Sequence, residues 1–338
     1  MDSIIFSLDG RDELAKTITD KSNIWSPDDE QTTIGSINKQ KFSDGEICVD
    51  FSDSVRGKRV YLLTSPNTSD EIMKLNLAID AAKRGAASEI IPILPYFPYA
   101  RQDKKDQSRG PIGAKMIANM LVAAGATGII TFDLHADQIQ GFFDIPITHL
   151  EGKNIFDDII SLRYTPNTIL AGPDAGSGKR VKRMQKQLQK RHSLSLNYVM
   201  MDKTRTEANK VDEMVIIGNV VGKDVIIIDD MCDTAGTLCA AAAELIKHGA
   251  ISVRAVISHG VFSGPAYKRI MDSKLSEVII SNSLRITEEL VEQVHGELKY
   301  TKTSDKITVI SLAKQIAMAI ASINGHVSYE ALKSVETV

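Results

Sequence analysis

The chain has 338 residues, 43% of them apolar and 25% charged, and its formal net charge at pH 7 is −3. This length suggests about two domains, and the composition is typical of a well-packed globular protein. The weak negative charge provides neither a basic field for nucleic acid nor a polybasic patch for a membrane, and no apolar run reaches transmembrane length. Neither nucleic acid nor a membrane is therefore an expected partner.

The cysteines indicate the compartment. Cys48, Cys232 and Cys239 are odd in number and have no C-x-x-C spacing. This pattern argues against a zinc site or a disulfide framework and favours a reducing environment. The first residues lack the basic region and apolar core of a secretion signal, so a cytoplasmic location is expected.

Predicted strands and helices alternate along the chain, which is typical of an open parallel sheet with helices on both faces. The first clear set is a strand, a polar loop, a helix and a strand, at Arg59–Thr64, Ser65–Ser69, Asp70–Arg84 and Glu89–Leu94. The same order recurs at Asp224–Ile228, Asp229–Thr237, Leu238–His248 and Ser252–Ser258. We interpret the chain as two copies of one α/β domain with a boundary near Leu150–Phe156, although two βαβ units can also resemble each other by chance.

The strongest chemical signal lies in the second copy. Four β-branched residues, Val225–Ile228, predict a strand that is buried on both faces and ends at Asp229 and Asp230. The turn Asp233–Thr237 precedes a helix, whose N–H groups and positive dipole end attract an anion. Because the acidic pair suits sugar hydroxyls, the stretch predicts a phosphorylated ribose with its phosphate on the turn. The alternative is an ordinary strand followed by an acidic, helix-capping turn.

A glycine-rich turn, Gly172–Arg180, follows a predicted strand and opens a basic helix. Backbone N–H groups in such a turn can hold a pyrophosphate, and Asp174 at the strand end could hold a metal. The turn has Pro173 and Arg180 where a P-loop needs Gly and Ser or Thr, so a P-loop NTPase is disfavoured. A plain joint between strand and helix is the alternative.

Three further stretches combine charge with turn-forming residues. Lys41–Glu46 pairs an aromatic ring with two carboxylates, which suits a nucleobase, although a polar hairpin turn is the simpler interpretation. Tyr99–Lys105 presents Arg101 to phosphate oxygens, with a solvated loop as the alternative. Asp133 and His135 follow a predicted strand, and a period of two would point both the same way, as members of a Mg²⁺ site. Imidazole is, however, an uncommon Mg²⁺ ligand.

Two segments of the second half carry structural signals. Lys203–Asn209 is polar and charged between two strand-like stretches, so it is predicted to be a mobile surface loop. A short strand at Ile307–Ile310 is followed by an amphipathic helix at Ser311–Ile323, which Asn324-Gly325 terminates.

Together these residues resemble the class I ribose-phosphate pyrophosphokinases, or phosphoribosyl pyrophosphate synthetases. The match runs in order from Phe42 to Tyr329 with few gaps, and the combination is far more specific than any one piece. The segments that carry it are Lys41–Glu46, Tyr96–Asp106, Asp133–Ala136, Gln138–Phe143, Pro173–Gly176, Asp229–Thr237 and Val261–Ala266. The resemblance implies that ATP and ribose 5-phosphate react, with Mg²⁺ as cofactor, to give 5-phosphoribosyl 1-pyrophosphate and AMP.

The resemblance also implies the architecture: two duplicated phosphoribosyltransferase-type (Rossmann-like) domains, each a mostly parallel sheet flanked by helices. Residues 1–152 would form an N-terminal pyrophosphokinase domain and residues 153–310 a C-terminal phosphoribosyltransferase-like domain. A helix at about 311–324 is expected to pack on the first domain. The family typically forms hexamers built from dimers, so self-association with sites at subunit interfaces is expected.

Residue roles follow from the resemblance position by position. Lys203 and Arg205 would be the catalytic pair, and His135 and Asp174 would organise Mg²⁺. The pyrophosphate loop would comprise Asp174, Ala175, Gly176 and Ser177. The ATP site would comprise Phe42, Asp44, Glu46, Arg101, Gln102 and Asp103, the first three reaching across a subunit boundary. The ribose 5-phosphate site would comprise Asp229, Asp230, Asp233, Thr234, Ala235, Gly236 and Thr237.

Six residues are similar to the family's regulatory region for phosphate or ADP: Ser54, Arg56, Ser108, Arg109, Gln140 and Ser311. Asp137 stands next to this region, where related sequences vary between Ser and an acid. A carboxylate that faced the region would weaken anion binding, so we expect altered phosphate activation or ADP inhibition. Ser177 is a second departure, because the family more usually has Gly at that position.

Two other functions remain open at this point. A phosphoribosyltransferase shares the acidic ribose phosphate loop, but it needs neither Lys41–Glu46, nor Arg101–Asp103, nor a duplicated domain. A non-catalytic regulatory homologue would bind without turnover, and the retention of His135, Asp174 and Lys203 argues against it.

Overall fold

The computed structural model describes residues 1–28, 30–204, 213–286, 291–295, 298–302, 306–325, 327–329 and 331–332. The chain divides into two compact units, Met1–Leu150 with Leu312–Val338, and Glu151–Ser311. Within the described ranges, no helix is long and apolar enough to cross a membrane.

The first unit contains a parallel sheet and a separate hairpin. Its strands are β1 (Ser3–Ser7), β2 (Thr32–Ile34), β3 (Ile37–Lys41), β4 (Ile47–Phe51), β5 (Arg59–Leu63), β6 (Glu89–Leu94), β7 (Ile129–Phe132) and β8 (Ile147–Leu150). Its first three helices are α1 (Asp12–Asn23), α2 (Ser69–Arg84) and α3 (Gly113–Ala124). Among the residues described there, six strands pair in parallel in the order β2-β1-β5-β6-β7-β8, while β3 and β4 form an antiparallel hairpin.

The second unit is built around a larger sheet. Its strands are β9 (Thr168–Gly172), β10 (Tyr198–Thr204), β11 (Glu213–Ile217), β12 (Asp224–Cys232), β13 (Ser252–Gly260), β14 (Glu277–Ser281), β15 (Val291–His295), β16 (Leu298–Lys302) and β17 (Ile307–Ile310). Its helices are α4 (Lys153–Leu162), α5 (Gly178–His192), α6 (Gly236–Lys247) and α7 (Ala266–Asp272). In the described part of this unit the strand order is β11-β10-β9-β12-β13-β14-β17-β16-β15. At the two edges the pairs β10–β11, β17–β16 and β16–β15 are antiparallel.

Both sheets follow from the same sequence pattern. Strands β5 and β12 are short apolar runs with buried residues throughout most of their length, as expected for parallel strands that helices cover on both faces. In the first unit, β5 pairs in parallel with the first strand, β1. In the second unit, β12 pairs in parallel with the first strand, β9. The predicted α/β class, with two mostly parallel sheets flanked by helices, is therefore confirmed.

The chain returns to the first unit in α8 (Ala313–Ile323), which packs against α1. Asn324 follows α8 and connects it to the sheet: its Oδ1 accepts from Arg59 Nη1 at 2.8 Å and from the Tyr61 hydroxyl at 2.9 Å. Its Nδ2 donates to Ser3 Oγ at 3.2 Å. Gly325 then has φ +84, so the predicted stop at Asn324-Gly325 is confirmed.

Three local predictions were wrong. The strand from Asp224 continues to Cys232 and contains the acidic pair, because β13 extends alongside and pairs with Asp229 and Met231. Tertiary pairing here overrides the low strand propensity of Asp. Strand β7 ends at Phe132 and Asp133 has φ +41, so the alternation assumed for Asp133 and His135 does not apply. The loop predicted at Lys203–Asn209 is wrong at its start, because Lys203 and Thr204 lie within strand β10; its residues 205–209 lie outside the described residues.

Candidate active site

The turn between β12 and α6 forms an open helix N-terminus. Ala235, the residue before α6, has φ +59, and no side chain of the described residues caps the helix there. Thr234 and Thr237 are exposed, whereas Ala235 is buried beneath them. The first N–H groups of α6 therefore face the turn together with the positive end of the helix dipole, which is the arrangement that binds a phosphate.

The acidic pair precedes this turn on β12. Asp229 is 24% exposed at its side chain and Asp230 only 6%. Burial and the neighbouring Asp230 carboxylate raise the pKa of Asp229, while Arg180 opposes this. Two partly buried carboxylates at the open end of a sheet are suited to accept hydrogen bonds from vicinal hydroxyls.

Arg180, on the first turn of α5, neutralises the pair in part. Its Nη1 lies 3.4 Å from Asp229 Oδ1 and 3.3 Å from Asp230 Oδ1. The sequence pattern did not single out Arg180 for this role, since the contact joins residues 49 positions apart. The signal in the sequence that could have indicated this role is the basic helix that follows the glycine-rich turn.

The predicted pyrophosphate loop is a tight turn between β9 and α5. Asp174 Oδ1 accepts from Ser177 N at 2.8 Å, and Ser177 Oγ donates to the Asp174 carbonyl at 2.6 Å. A Cβ on Gly172 would collide with Ser177 Oγ, so glycine is required below the turn. The Oγ contact fixes the turn in a way that a glycine at position 177 could not, whereas the backbone N–H contact would remain.

The first unit holds a pocket of about 360 Å³ that contains two of the predicted ATP residues, Arg101 and Gln102. The other lining residues are Asn67, Thr68, Ser69, Tyr96, Pro98, Tyr99 and Ala100. Asp103 does not line this pocket, and its Oδ2 accepts from Gln138 Nε2 at 2.7 Å. The sequence pattern identified the arginine side of the pocket but not the wall from Asn67 to Ser69, because neutral polar residues are common in any loop.

The other three predicted ATP residues lie at the tip of the β3–β4 hairpin. Phe42 is 45% exposed, and Asp44 and Glu46 are also exposed. The tip is closed by Phe42 N donating to the Glu46 carbonyl at 2.8 Å, and Gly45 has φ +96. The predicted hairpin turn is confirmed, and it presents an aromatic ring to solvent.

The remaining predicted residues are dispersed. His135 is exposed in the first unit, Lys203 belongs to β10, and Arg205 lies outside the described residues. Of the regulatory set, Ser54, Arg56, Ser108 and Arg109 are exposed and Gln140 is half-buried in the first unit, whereas Ser311 belongs to the second. Asp137 is exposed at the start of a 3₁₀ turn.

The chain matches two family models. One describes the N-terminal domain of ribose phosphate pyrophosphokinase and covers residues 3–125, and the other describes a phosphoribosyl synthetase-associated domain and covers residues 174–332. The chain is 43% identical to the ribose-phosphate pyrophosphokinase of Wolinella succinogenes over 88% of its own length and 91% of that protein. It is 38% identical to that of Halalkalibacterium halodurans over 97% and 96% of the two chains.

The chain belongs to the ribose-phosphate pyrophosphokinase family. A solved family structure agrees: the phosphoribosylpyrophosphate synthetase from Mycobacterium smegmatis superposes with a TM-score of 0.84 and 32% identity. The superposition covers 97% of this chain and all of that one. The predicted resemblance is thereby confirmed for both units of this pyrophosphokinase family member.

One carboxylate of this family member meets the donor requirements of Mg²⁺. The ion is commonly held by one or two carboxylates together with substrate phosphates and waters. Asp174 is an exposed carboxylate at the end of β9 and fits this donor set, whereas the His135 imidazole fits it less well.

Within the described ranges, the one compact group of three potential metal ligands is Asp157, Asp158 and His192. It lies between α4 and α5 and contains neither predicted ligand. Asp157 is fully buried and accepts from Arg191 Nη1 at 2.8 Å, so its charge is already compensated. This cluster therefore serves the packing of α4 on α5.

Proposed function

We propose that the chain transfers the pyrophosphoryl group of ATP to the C1 hydroxyl of ribose 5-phosphate, producing 5-phosphoribosyl 1-pyrophosphate and AMP. The observation that carries the proposal is the N-terminus of α6, which begins six positions after Asp230 and has no side-chain cap among the described residues. This arrangement offers a phosphate site and hydroxyl acceptors within one segment, Asp229–Thr237. Its occurrence in a chain of the ribose-phosphate pyrophosphokinase family supports this substrate.

The acceptor sugar would bind to the second unit. Its 5-phosphate would accept hydrogen bonds from the N–H groups of Gly236 and Thr237 and from the exposed hydroxyls of the turn. Asp229 and Asp230 would accept from the ring hydroxyls and thereby orient the C1 hydroxyl. These carboxylates act as positioning groups, because fixing the nucleophile supplies much of the rate in a reaction of this class.

The donor would bind through residues of the first unit. The pocket with Arg101 and Gln102 would take ATP, and the exposed ring of Phe42 would stack on adenine from a neighbouring subunit. Asp44 and Glu46 would accept from the exocyclic amine. We infer from this sharing that the protein forms a hexamer built from dimers, and the family relationship supports this inference.

The transferred group would be stabilised by donors and cations. The turn from Asp174 to Ser177 would hold the pyrophosphoryl group with its N–H groups, and Lys203 and Arg205 would offset negative charge on the phosphates. Asp174 and His135 would hold Mg²⁺, which supplies positive charge to the phosphate oxygens when bound. The cytoplasmic location remains a prediction from the three unpaired cysteines.

The deciding experiment incubates the purified protein with ATP and Mg²⁺ and measures AMP with and without ribose 5-phosphate. AMP that forms only in the presence of the sugar, and is lost in Asp229→Asn/Asp230→Asn, supports the proposal. An unchanged enzyme in that double variant would place the acceptor elsewhere. Consumption of 5-phosphoribosyl 1-pyrophosphate with a nucleobase, without AMP formation from ATP, would identify a phosphoribosyltransferase. No turnover in either assay would indicate a regulatory homologue.

A further inference from the structure

The first unit contains a buried ion pair at the end of β1. Arg11 Nε donates to Asp9 Oδ2 at 2.9 Å, and Arg11 Nη2 lies 2.8 Å from the same oxygen. The two side chains are only 8% and 10% exposed. Neither residue lines the nucleotide pocket or belongs to any stretch with an assigned role.

This pair holds the loop that follows β5. Arg11 Nη2 donates to Ser65 Oγ at 2.9 Å, and Ser65 N donates to Asp9 Oδ2 at 2.9 Å. One carboxylate oxygen therefore accepts from the guanidinium and from the loop backbone together. Such charge-assisted contacts are short and directional, so they define where the loop begins.

A second carboxylate holds the other end of the same loop. Glu71 Oε2 accepts from Asn67 N at 2.9 Å and from Thr68 N at 3.2 Å, while Thr68 Oγ1 accepts from Glu71 N. The loop N–H groups at positions 65, 67 and 68 are thus all taken by carboxylates of the first unit. The corresponding helix in the second unit, α6, has no such side-chain cap among its described neighbours. Resident carboxylates therefore hold the loop of the first unit in the way that a phosphate would hold the loop of the second.

The fixed loop is also a wall of the nucleotide pocket. Asn67, Thr68 and Ser69 line it together with Arg101 and Gln102, and Ser65 lies two residues before this wall. A displacement of Ser65 is transmitted to the wall, because Pro66 alone separates Ser65 from Asn67 and its ring restricts the backbone. The Asp9–Arg11 pair therefore acts on the pocket through Ser65.

We propose that Asp9 and Arg11 are positioning residues for the donor nucleotide, whose buried ion pair sets the wall from Asn67 to Ser69 against Arg101 and Gln102. This inference rests on the proposed function, since it takes the pocket as the ATP site. A buried ion pair contributes little net stability compared with apolar packing of the same volume. Its specific contribution here is the geometry that it imposes on the loop.

The test measures steady-state kinetics of the full chain with ATP and ribose 5-phosphate varied separately. In Asp9→Asn, which leaves a buried guanidinium without its counter-charge, KM for ATP rises about tenfold, because small misplacements of binding groups are costly. KM for ribose 5-phosphate changes by less than about twofold. Arg11→Lys, which keeps the charge but loses the fork, shows an intermediate rise. Asp12→Asn, the same substitution at an exposed site on α1, leaves both KM values unchanged.

Two further measurements keep the inference testable if Asp9→Asn folds poorly. The double variant Asp9→Ala/Arg11→Ala removes both charges and avoids an unpaired buried ion, yet it loses the loop contacts of both side chains and shows the same rise in KM for ATP. Amide hydrogen exchange at residues 65–69 of this variant accelerates by at least about tenfold relative to the wild type. A purely structural role would instead accelerate amide hydrogen exchange throughout the first unit and lower kcat. It would not raise KM for ATP more than KM for ribose 5-phosphate.

Arg101→Ala separates failure of this inference from failure of the proposed function. If Arg101→Ala weakens ATP binding and the Asp9 and Arg11 variants do not, the positioning role is wrong and the ATP pocket stands. If none of these variants alters ATP binding, the pocket is not the donor site and both proposals are overturned. An equal rise in both KM values also contradicts the positioning role.

Discussion

At the scale of single residues, the acidic pair of β12 decides how the proposed acceptor site responds to pH. Asp229 has a raised pKa because it is partly buried beside a second carboxylate, and Arg180 limits the rise. Five residues earlier on the same strand, Asp224 accepts hydrogen bonds from the Ser252 and Thr165 hydroxyls, which lower its pKa. One strand thus carries two aspartates whose pKa values depart from the ordinary value in opposite directions.

These two aspartates predict opposite pH dependences of stability. Asp229 binds its proton more tightly in the folded state, so its contribution to the free energy of unfolding is lost as pH rises through the raised pKa. The difference in free energy of unfolding between wild type and Asp229→Asn therefore falls with rising pH. The fall is about 1.4 kcal/mol for each pH unit between the pKa of the unfolded chain and that of the folded protein. For Asp224→Asn the difference falls as the pH drops through the acid range. Urea unfolding across a pH series measures both, and parallel curves would contradict the assignment.

The residue scale also shows what a sequence can predict about the site. Asp229 and Asp230 were recognised because adjacent carboxylates after an apolar run carry chemistry in themselves. Arg180 and Asp9 were not recognised, since each acts through a partner distant in the chain, Asp229 and Ser65 respectively. Local spacing contains no information about such contacts.

At the scale of elements, α2 and α6 differ in how their N-termini are satisfied. Thr68 and Glu71 form a capping box at α2, whereas α6 begins after Ala235 in the left-handed region. The sequence predicted both helices to within two residues, since apolar periodicity and stop glycines are local signals. It misplaced the end of β12, because strand length was decided by pairing with β13.

Helix α8 provides a prediction at this scale. In Asn324→Ala the buried Tyr61 hydroxyl loses its acceptor, and Arg59 Nη1 loses one of two acceptors while the Ile323 carbonyl remains; each unsatisfied buried group costs about 1–3 kcal/mol. We expect the free energy of unfolding of the first unit to fall by about 2–3 kcal/mol, measured by urea unfolding of the full chain. Asn76→Ala, which removes a single bond to the Ile72 carbonyl within α2, is the matched control and costs about 1 kcal/mol. Equal losses in the two variants would show that Asn324 is not the anchor.

At the scale of the whole molecule, the sequence predicted the α/β class and the repeated order of strand, loop and helix. Periodic apolar runs determine such a sheet, and both units preserve them. The strand-like stretch Met214–Ile217 corresponds to β11, but its antiparallel pairing with β10 is not contained in the sequence pattern. Strands β15 and β16 were not predicted, because edge strands are short and have weak apolar alternation.

The proposed sharing of the ATP site between subunits is tested by complementation. On the proposed roles, Phe42→Ala would remove the adenine contact and Lys203→Ala a catalytic cation, and each would lower turnover by orders of magnitude. If Phe42 serves a neighbouring subunit, mixed oligomers contain sites with both wild-type residues, and remixing after mild dissociation restores about a quarter of the activity by random assortment. Light scattering confirms that the mixture reassembles. Activity that stays at the level of the separate variants would place Phe42 in the same subunit as Lys203.

The position of Asn324 has a consequence for biosynthesis. A ribosome releases β1–β8 first and then the entire second unit before it reaches α8, although α8 belongs to the first unit. Until then α1 lacks its packing partner α8, and Arg59 and the Tyr61 hydroxyl lack Asn324. Domains of larger proteins otherwise fold in the order of their synthesis. The last part of translation therefore completes the unit that was begun first, so a chain truncated before Asn324 carries a complete second unit and an incomplete first unit.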